Sequence, residues 1–165
     1  MRSLFFRYSF ALLVAFSSSL FSFFLLPLTF FSSSFLLALF YDVQRDGLQL
    51  LFSGITFSFI PACAATLAYV LLLEFILLTR GISFFTGMKM FFLGSAFIFS
   101  LNILRIFFLV FIYLKYGENY FDAVHILFWH LISSIFVAFV WIFLVELYTI
   151  KSIPLWSDIQ EIVKK

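Results

Sequence analysis

Four long apolar runs, separated by short polar stretches, organise the chain. The first, Ser9 to Leu26, follows a flank that carries Arg2 and Arg7. Its length suits a membrane span, since about 20 helical residues cross the hydrocarbon core. No small-residue cleavage site follows it, so an uncleaved span is expected rather than a secretory signal. Pro27 interrupts the pattern, and Leu28 to Phe40 is again apolar, with Ser32, Ser33 and Ser34 inside it. That stretch is too short to span as a helix by itself and is expected to continue a kinked first helix, to lie at the interface or to pack back against the bundle. Tyr41 to Gly47 is the first polar stretch and reads as a turn in water. From Leu48 the chain is apolar as far as Thr79, longer than one span needs. Gly54 and Pro61 mark where an outer, interfacial or re-entrant segment gives way to the second span, because proline costs least near a helix start.

Arg80 to Lys89 is a short connection, and the third run extends from about Met90 to Tyr113. Its Gly94-Ser95-Ala96 stretch predicts close helix approach. Lys115 to Asp122 is a polar turn, Val124 to Tyr148 the fourth run, and residues 151–165 a short amphipathic tail. The fold expected is therefore all-α: a polytopic membrane helical bundle in a single domain over 1–165. Its spans fall at about 9–26, 61–79, 90–113 and 124–148, with interfacial or re-entrant segments over about 28–60 on the outer side.

Composition agrees with the pattern. The chain is 65% hydrophobic and 11% charged, with a mean hydropathy of +1.19, where globular chains carry about 25% charged residues. A net charge of +2 gives no basis for nucleic-acid binding. The distribution of charge is more informative. With four spans and the N-terminus inside, Arg2, Arg7, Arg80, Lys89, Lys151, Lys164 and Lys165 face the cytoplasm. Arg45 and Lys115 fall in outer loops beside Asp42, Asp46, Glu118 and Asp122. That bias places both termini in the cytoplasm of a plasma-membrane protein.

Three residues then stand out against the apolar background. Cys63 is the only cysteine, which excludes an internal disulfide and a cysteine-based metal cage. Arg105 lies inside a span, at a cost of at least about 2.5–3.5 kcal/mol on insertion scales, and such residues mark functional interiors or snorkel to headgroups. A histidine, His125 or His130, opens the last span. Helical rise measures each height from the cytoplasmic span end: about 24 Å for Cys63, 22 Å for Arg105, 27 Å for His130 and 34 Å for His125. Thiol, guanidinium and one imidazole are thus expected together in the outer half of the membrane. Asn102 shares a helical face with Arg105, three residues on; it is placed to hold the guanidinium or a substrate carbonyl, or to join two helices. Glu74 and Glu146 sit near the inner boundary, close to basic residues, and carry no chemistry here.

A thiolate attacks carbonyl carbon well, an imidazole takes the thiol proton, and a guanidinium stabilises an anion or an oxyanion. These are the elements of cysteine acyl transfer. A second cysteine, a metal-ligand cluster and an aspartate pair within the spans are missing, which argues against a dithiol oxidoreductase, a metalloprotease and an aspartic protease.

Pro61-Ala62-Cys63-Ala64-Ala65-Thr66, then Asn102-Ile103-Leu104-Arg105, then His125 opening a last span, resembles the exosortase/archaeosortase family. Cys, Asn-x-x-Arg and His follow in that order on successive helices, over about residues 55 to 145, and the compact length looks more like archaeal members. The resemblance implies a membrane transpeptidase that uses no cofactor or metal. Its partners would be secreted proteins with a C-terminal sorting signal and a membrane lipid or similar acceptor. Carried over, Cys63 is the nucleophile, Arg105 stabilises or positions substrate and His125 is the base, with Asn102, His130 and Thr66 as supporting or alternative residues. Two other classes compete. A non-catalytic membrane subunit would use Arg105 to pair with a partner helix, and a small transporter would need Arg105, His125 and Glu74 along one water path, although Glu74 stands far below the others.

Overall fold

The computed structural model describes residues 2–128 and 133–150, with side chains described from Tyr8 onward. It is mostly helical, with one small sheet. In chain order the elements are α1 (Arg2–Ala15), α2 (Ser18–Ala38), β1 (Gln44–Asp46), β2 (Gln49–Phe52) and β3 (Ile55–Ser58). A 3-10 turn (Pro61–Ala64) follows, then α3 (Thr66–Leu78), α4 (Phe84–Tyr116), α5 (Glu118–Leu127) and α6 (Ser133–Leu147). Among the described residues two helices are long and apolar enough to cross a membrane: α2 with 21 residues and α4 with 33. The apolar helices α3 and α6 are shorter.

Boundaries depart from the sequence pattern in several places, among them the expected polar turn Lys115 to Asp122, which is helical but for Gly117 because α4 reaches Tyr116 and α5 starts at Glu118. The expected span over 9–26 is divided, because α1 ends at Ala15 and α2 begins at Ser18. Ser17 marks the break, its hydroxyl donating to the Val14 carbonyl at 2.6 Å. Of the courses open after Pro27, the helix continues: Pro27 lies inside α2, and neighbouring apolar helical sequence carries the helix past its missing donor. The expected span over 61–79 is shortened, since its first turn is 3-10 and α3 starts only at Thr66. The 3-10 turn closes on Ala65, a non-glycine residue at φ 51, ψ 34.

The largest departure is the sheet. Residues 44–58, expected within an outer interfacial segment of an all-α fold, form an antiparallel meander in the order β1-β2-β3. Its reason is local. Leu50 and Phe52 are buried while Gln49 and Leu51 are exposed, the period-two alternation of a strand. Leu50 pairs with Phe57 and Phe52 with Ile55, so these four share one face. The two-residue connection Ser53-Gly54 has φ 52 and 77, the two left-handed residues of a type I′ hairpin turn.

The chain forms two compact units. One comprises α1, α3, α4 as far as Ile98, and α6. Here Gly94 admits close packing, as its sequence context predicts: a Cβ added there would stand 2.6 Å from Leu72 Cδ2 and 2.9 Å from Leu144 Cδ1. Phe75 meets Trp141, and Phe97 meets Phe143 edge-on.

The other unit comprises α2, the sheet, the 3-10 turn, the second half of α4 and α5. Its core joins Phe30 and Leu37 of α2, Leu50 and Phe52 of β2, Phe59, and Ile106 and Val110 of α4. Phe30 packs edge-on against Phe59 at 5.3 Å. In α2 the buried stripe is Thr29, Phe30, Ser33, Ser34 and Leu37, while Phe23, Phe24, Leu28, Phe31 and Phe35 are exposed. Three small hydroxyl residues thus face inward beside Phe30 and Leu37, while most of the aromatic rings of α2 face outward.

Candidate functional site

All the described candidate residues belong to this second unit. Cys63 is the third residue of the 3-10 turn that Pro61 opens, and its thiol is free and half-buried. Proline suits this start because it needs no donor and its φ is already set. The Cys63 N–H donates to the Ile60 carbonyl at 2.8 Å, which holds the turn. The Ile60 backbone is also the hydrogen-bonding neighbour of the thiol; side chains in the first turn reach back in this way to the residue that caps it. At Ala65 the chain turns through the left-handed region before α3 begins. Cys63 therefore stands outside the regular helix, with its carbonyl available to another partner.

That partner is Asn102. Its Nδ2 donates to the Cys63 carbonyl oxygen at 2.8 Å, across 39 positions of sequence. A carbonyl only accepts, so this contact fixes which end of the amide is which. The Asn102 Oδ1 is buried and has no hydrogen-bond partner among the described residues. Of the three roles open to Asn102 from sequence, the structure therefore has it join the Cys63 turn to α4.

Arg105 is three residues further along α4, on the same face. Both side chains are more than nine-tenths buried, with 5% of Asn102 and 8% of Arg105 exposed. Arg105 is packed inside this unit and is not turned to its surface. Its Nε has no hydrogen-bond partner, and no carboxylate pairs with the guanidinium among the described residues. Its charge is close enough to act on both the Cys63 thiol and the His125 ring. A buried cation without a counter-ion is costly, and an incoming group that accepts from it recovers part of that cost.

His125 lies on α5, half-buried, with Asp122 also acting on it from one turn earlier. An aromatic cluster carries it. The ring sits 5.3 Å from Phe121, which in turn meets Phe57 of β3 and Tyr113 of α4 edge-on at 5.5 and 5.6 Å. The sheet thus supports the imidazole through Phe57. Sequence reading missed this role, although the alternation Leu50-x-Phe52-Ser53-Gly54-Ile55-x-Phe57 contained the signal. Thr66 opens α3 and is half-buried three residues beyond Cys63. His130, the alternative base, lies outside the described residues.

The structure therefore brings Cys63, Asn102 and Arg105 into one cluster, and places His125 within reach of the Arg105 charge. Among the described residues no three histidine, cysteine or carboxylate side chains come together as a metal site. Compared with protein-family models, curated proteins and solved structures, the chain matches none of them.

Proposed function

We propose that this protein is a membrane cysteine transpeptidase of exosortase/archaeosortase type. It cleaves secreted proteins near a C-terminal sorting signal and passes the new C-terminus to a membrane lipid or similar acceptor. The observation that carries the proposal is the junction of Cys63 with Asn102, beside a buried guanidinium that has no carboxylate partner among the described residues. The inward hydroxyls and outward rings of α2 support a lipid-embedded, multi-pass chain. The bias of basic residues supports cytoplasmic termini and an active site toward the outer face.

In this mechanism His125 takes the thiol proton, directly or through one water. The Cys63 sulfur adds to the scissile carbonyl carbon, and Arg105 holds the negative charge that develops on oxygen. The C–N bond breaks, the departing amine takes the proton from the imidazolium, and a thioester remains. A nucleophilic group of the acceptor then attacks the thioester and gives its proton to His125. The C–S bond breaks and the proton returns to sulfur.

The test is a membrane-impermeant maleimide applied to intact cells, with Cys63→Ser as the blank. Cys63 labels in the wild type, and labelling falls at least about tenfold in Arg105→Leu and His125→Ala, because a thiol reacts through its anion. Labelling at the wild-type rate in both variants sinks the proposal. The orphaned Arg105 Nε also favours a second reading, in which a partner helix supplies a carboxylate. A copurifying protein lost in Arg105→Leu but kept in Cys63→Ser would establish that reading instead.

A further inference from the structure

Two orphaned polar atoms lie on the face of α4 that is joined to the Cys63 turn, and they are chemically opposite. Asn102 Oδ1 is an acceptor only, and Arg105 Nε–H is a donor only. Both belong to side chains more than nine-tenths buried, at positions i and i+3 of α4, where neighbouring Cβ atoms lie about 5–6 Å apart. Leaving such groups unpaired costs about 1–3 kcal/mol each. A ligand that satisfies both must offer one acceptor and one donor. A carboxylate or phosphate diester offers acceptors alone and leaves Asn102 Oδ1 unpaired. An ester has no donor. A peptide group has both, its C=O and N–H on opposite edges of one plane.

We infer that Asn102 and Arg105 form a specificity element for a secondary amide. The substrate carbonyl accepts from Arg105 Nε, and the substrate N–H donates to Asn102 Oδ1. The Nδ2 bond to the Cys63 carbonyl holds the Asn102 amide in the required sense, so the same side chain joins the recognition element to the nucleophile's own backbone. This deepens the transpeptidase proposal and rests on it. The added content is a requirement for an N–H at the substrate's peptide group, which excludes esters and N-alkylated peptide bonds, proline imides among them.

The experiment uses the full chain in lipid nanodiscs and three matched alkylating probes: N-octyl iodoacetamide, N-octyl-N-methyl iodoacetamide and octyl iodoacetate. In each, sulfur displaces iodide, and the Cys63 adduct is followed by intact mass. Each rate is divided by that probe's rate with glutathione. The secondary amide is expected to react at least about tenfold faster than the other two, since a lost buried partner of about 1.4 kcal/mol is tenfold. The preference is expected to disappear in Asn102→Leu. Equal normalised rates in the wild type overturn the amide assignment while leaving a reactive thiol. A preference that survives in a folded Asn102→Leu removes Asn102 from it. Should Asn102→Leu fail to fold, the ester and N-methyl comparison in the wild type decides alone. Cys63 inert to all three probes brings down the transpeptidase proposal itself.

Discussion

Replacing Asn102 by aspartate changes one nitrogen to oxygen and tests the join between the Cys63 turn and α4. In the wild type, Nδ2 donates 2.8 Å to the Cys63 carbonyl in a site where only 5% of Asn102 is exposed. The hydrogen bond itself is worth about 0.6–2 kcal/mol between helices in a membrane. Deleting it in Asn102→Ala also strands a buried carbonyl, at about 1–3 kcal/mol. The second figure already contains the first, so we expect a loss of about 1–3 kcal/mol for alanine. Aspartate is isosteric, yet it turns an oxygen toward an oxygen. Neutralised by nearby Arg105, it recovers some Coulomb energy; facing the carbonyl, it loses the bond and gains repulsion. The expected order of stability is Asn102, then alanine, then aspartate, and an aspartate that swings to Arg105 releases the turn as well. The assay is unfolding in mixed micelles followed by far-UV circular dichroism, with Cys63 alkylation as a local readout. Either course of Asn102→Asp alters Cys63 accessibility, because the turn loses its anchor. An aspartate variant with the unfolding midpoint and the Cys63 alkylation rate of the wild type would refute the reasoning.

Two further substitutions test the scaffold. In Gly94→Ala the new methyl would meet Leu72 and Leu144, both fully buried, so overpacking of about 1–3 kcal/mol outweighs the roughly 1 kcal/mol gain in helix propensity; the same unfolding midpoints would show the net loss. Ala65 sits at φ 51, where an L-residue carries about 1–2 kcal/mol of strain. Ala65→Gly relieves that strain against about 0.4–1 kcal/mol of added unfolded-state freedom, for a gain of about 0.5–1 kcal/mol. Ala65→Val loses stability, since a β-branched side chain is strongly disfavoured there. The pair is read by thermal unfolding, and a stable valine variant would show that Ala65 is not left-handed.

The apolar runs by themselves determined that the chain is mostly helical, since long unbroken hydrophobic stretches offer no strand alternation or turn to compete. They also singled out Cys63, Asn102 and Arg105, because in so apolar a chain every interior polar side chain is conspicuous. What the runs could not resolve was anything set by partners far along the chain. Pro27 left open whether the helix stops or continues with a kink, and packing of the helix on both sides of it decides for continuation. The sheet at 44–58 was hidden because β1 falls in a polar stretch that reads as a turn, and because hydropathy over β2 and β3 averages out the alternation that distinguishes Leu50 from Leu51. Above all, only the tertiary structure decided what Asn102 does. A side-chain amide has a donor end and an acceptor end, and which one faces the site depends on a carbonyl 39 residues away.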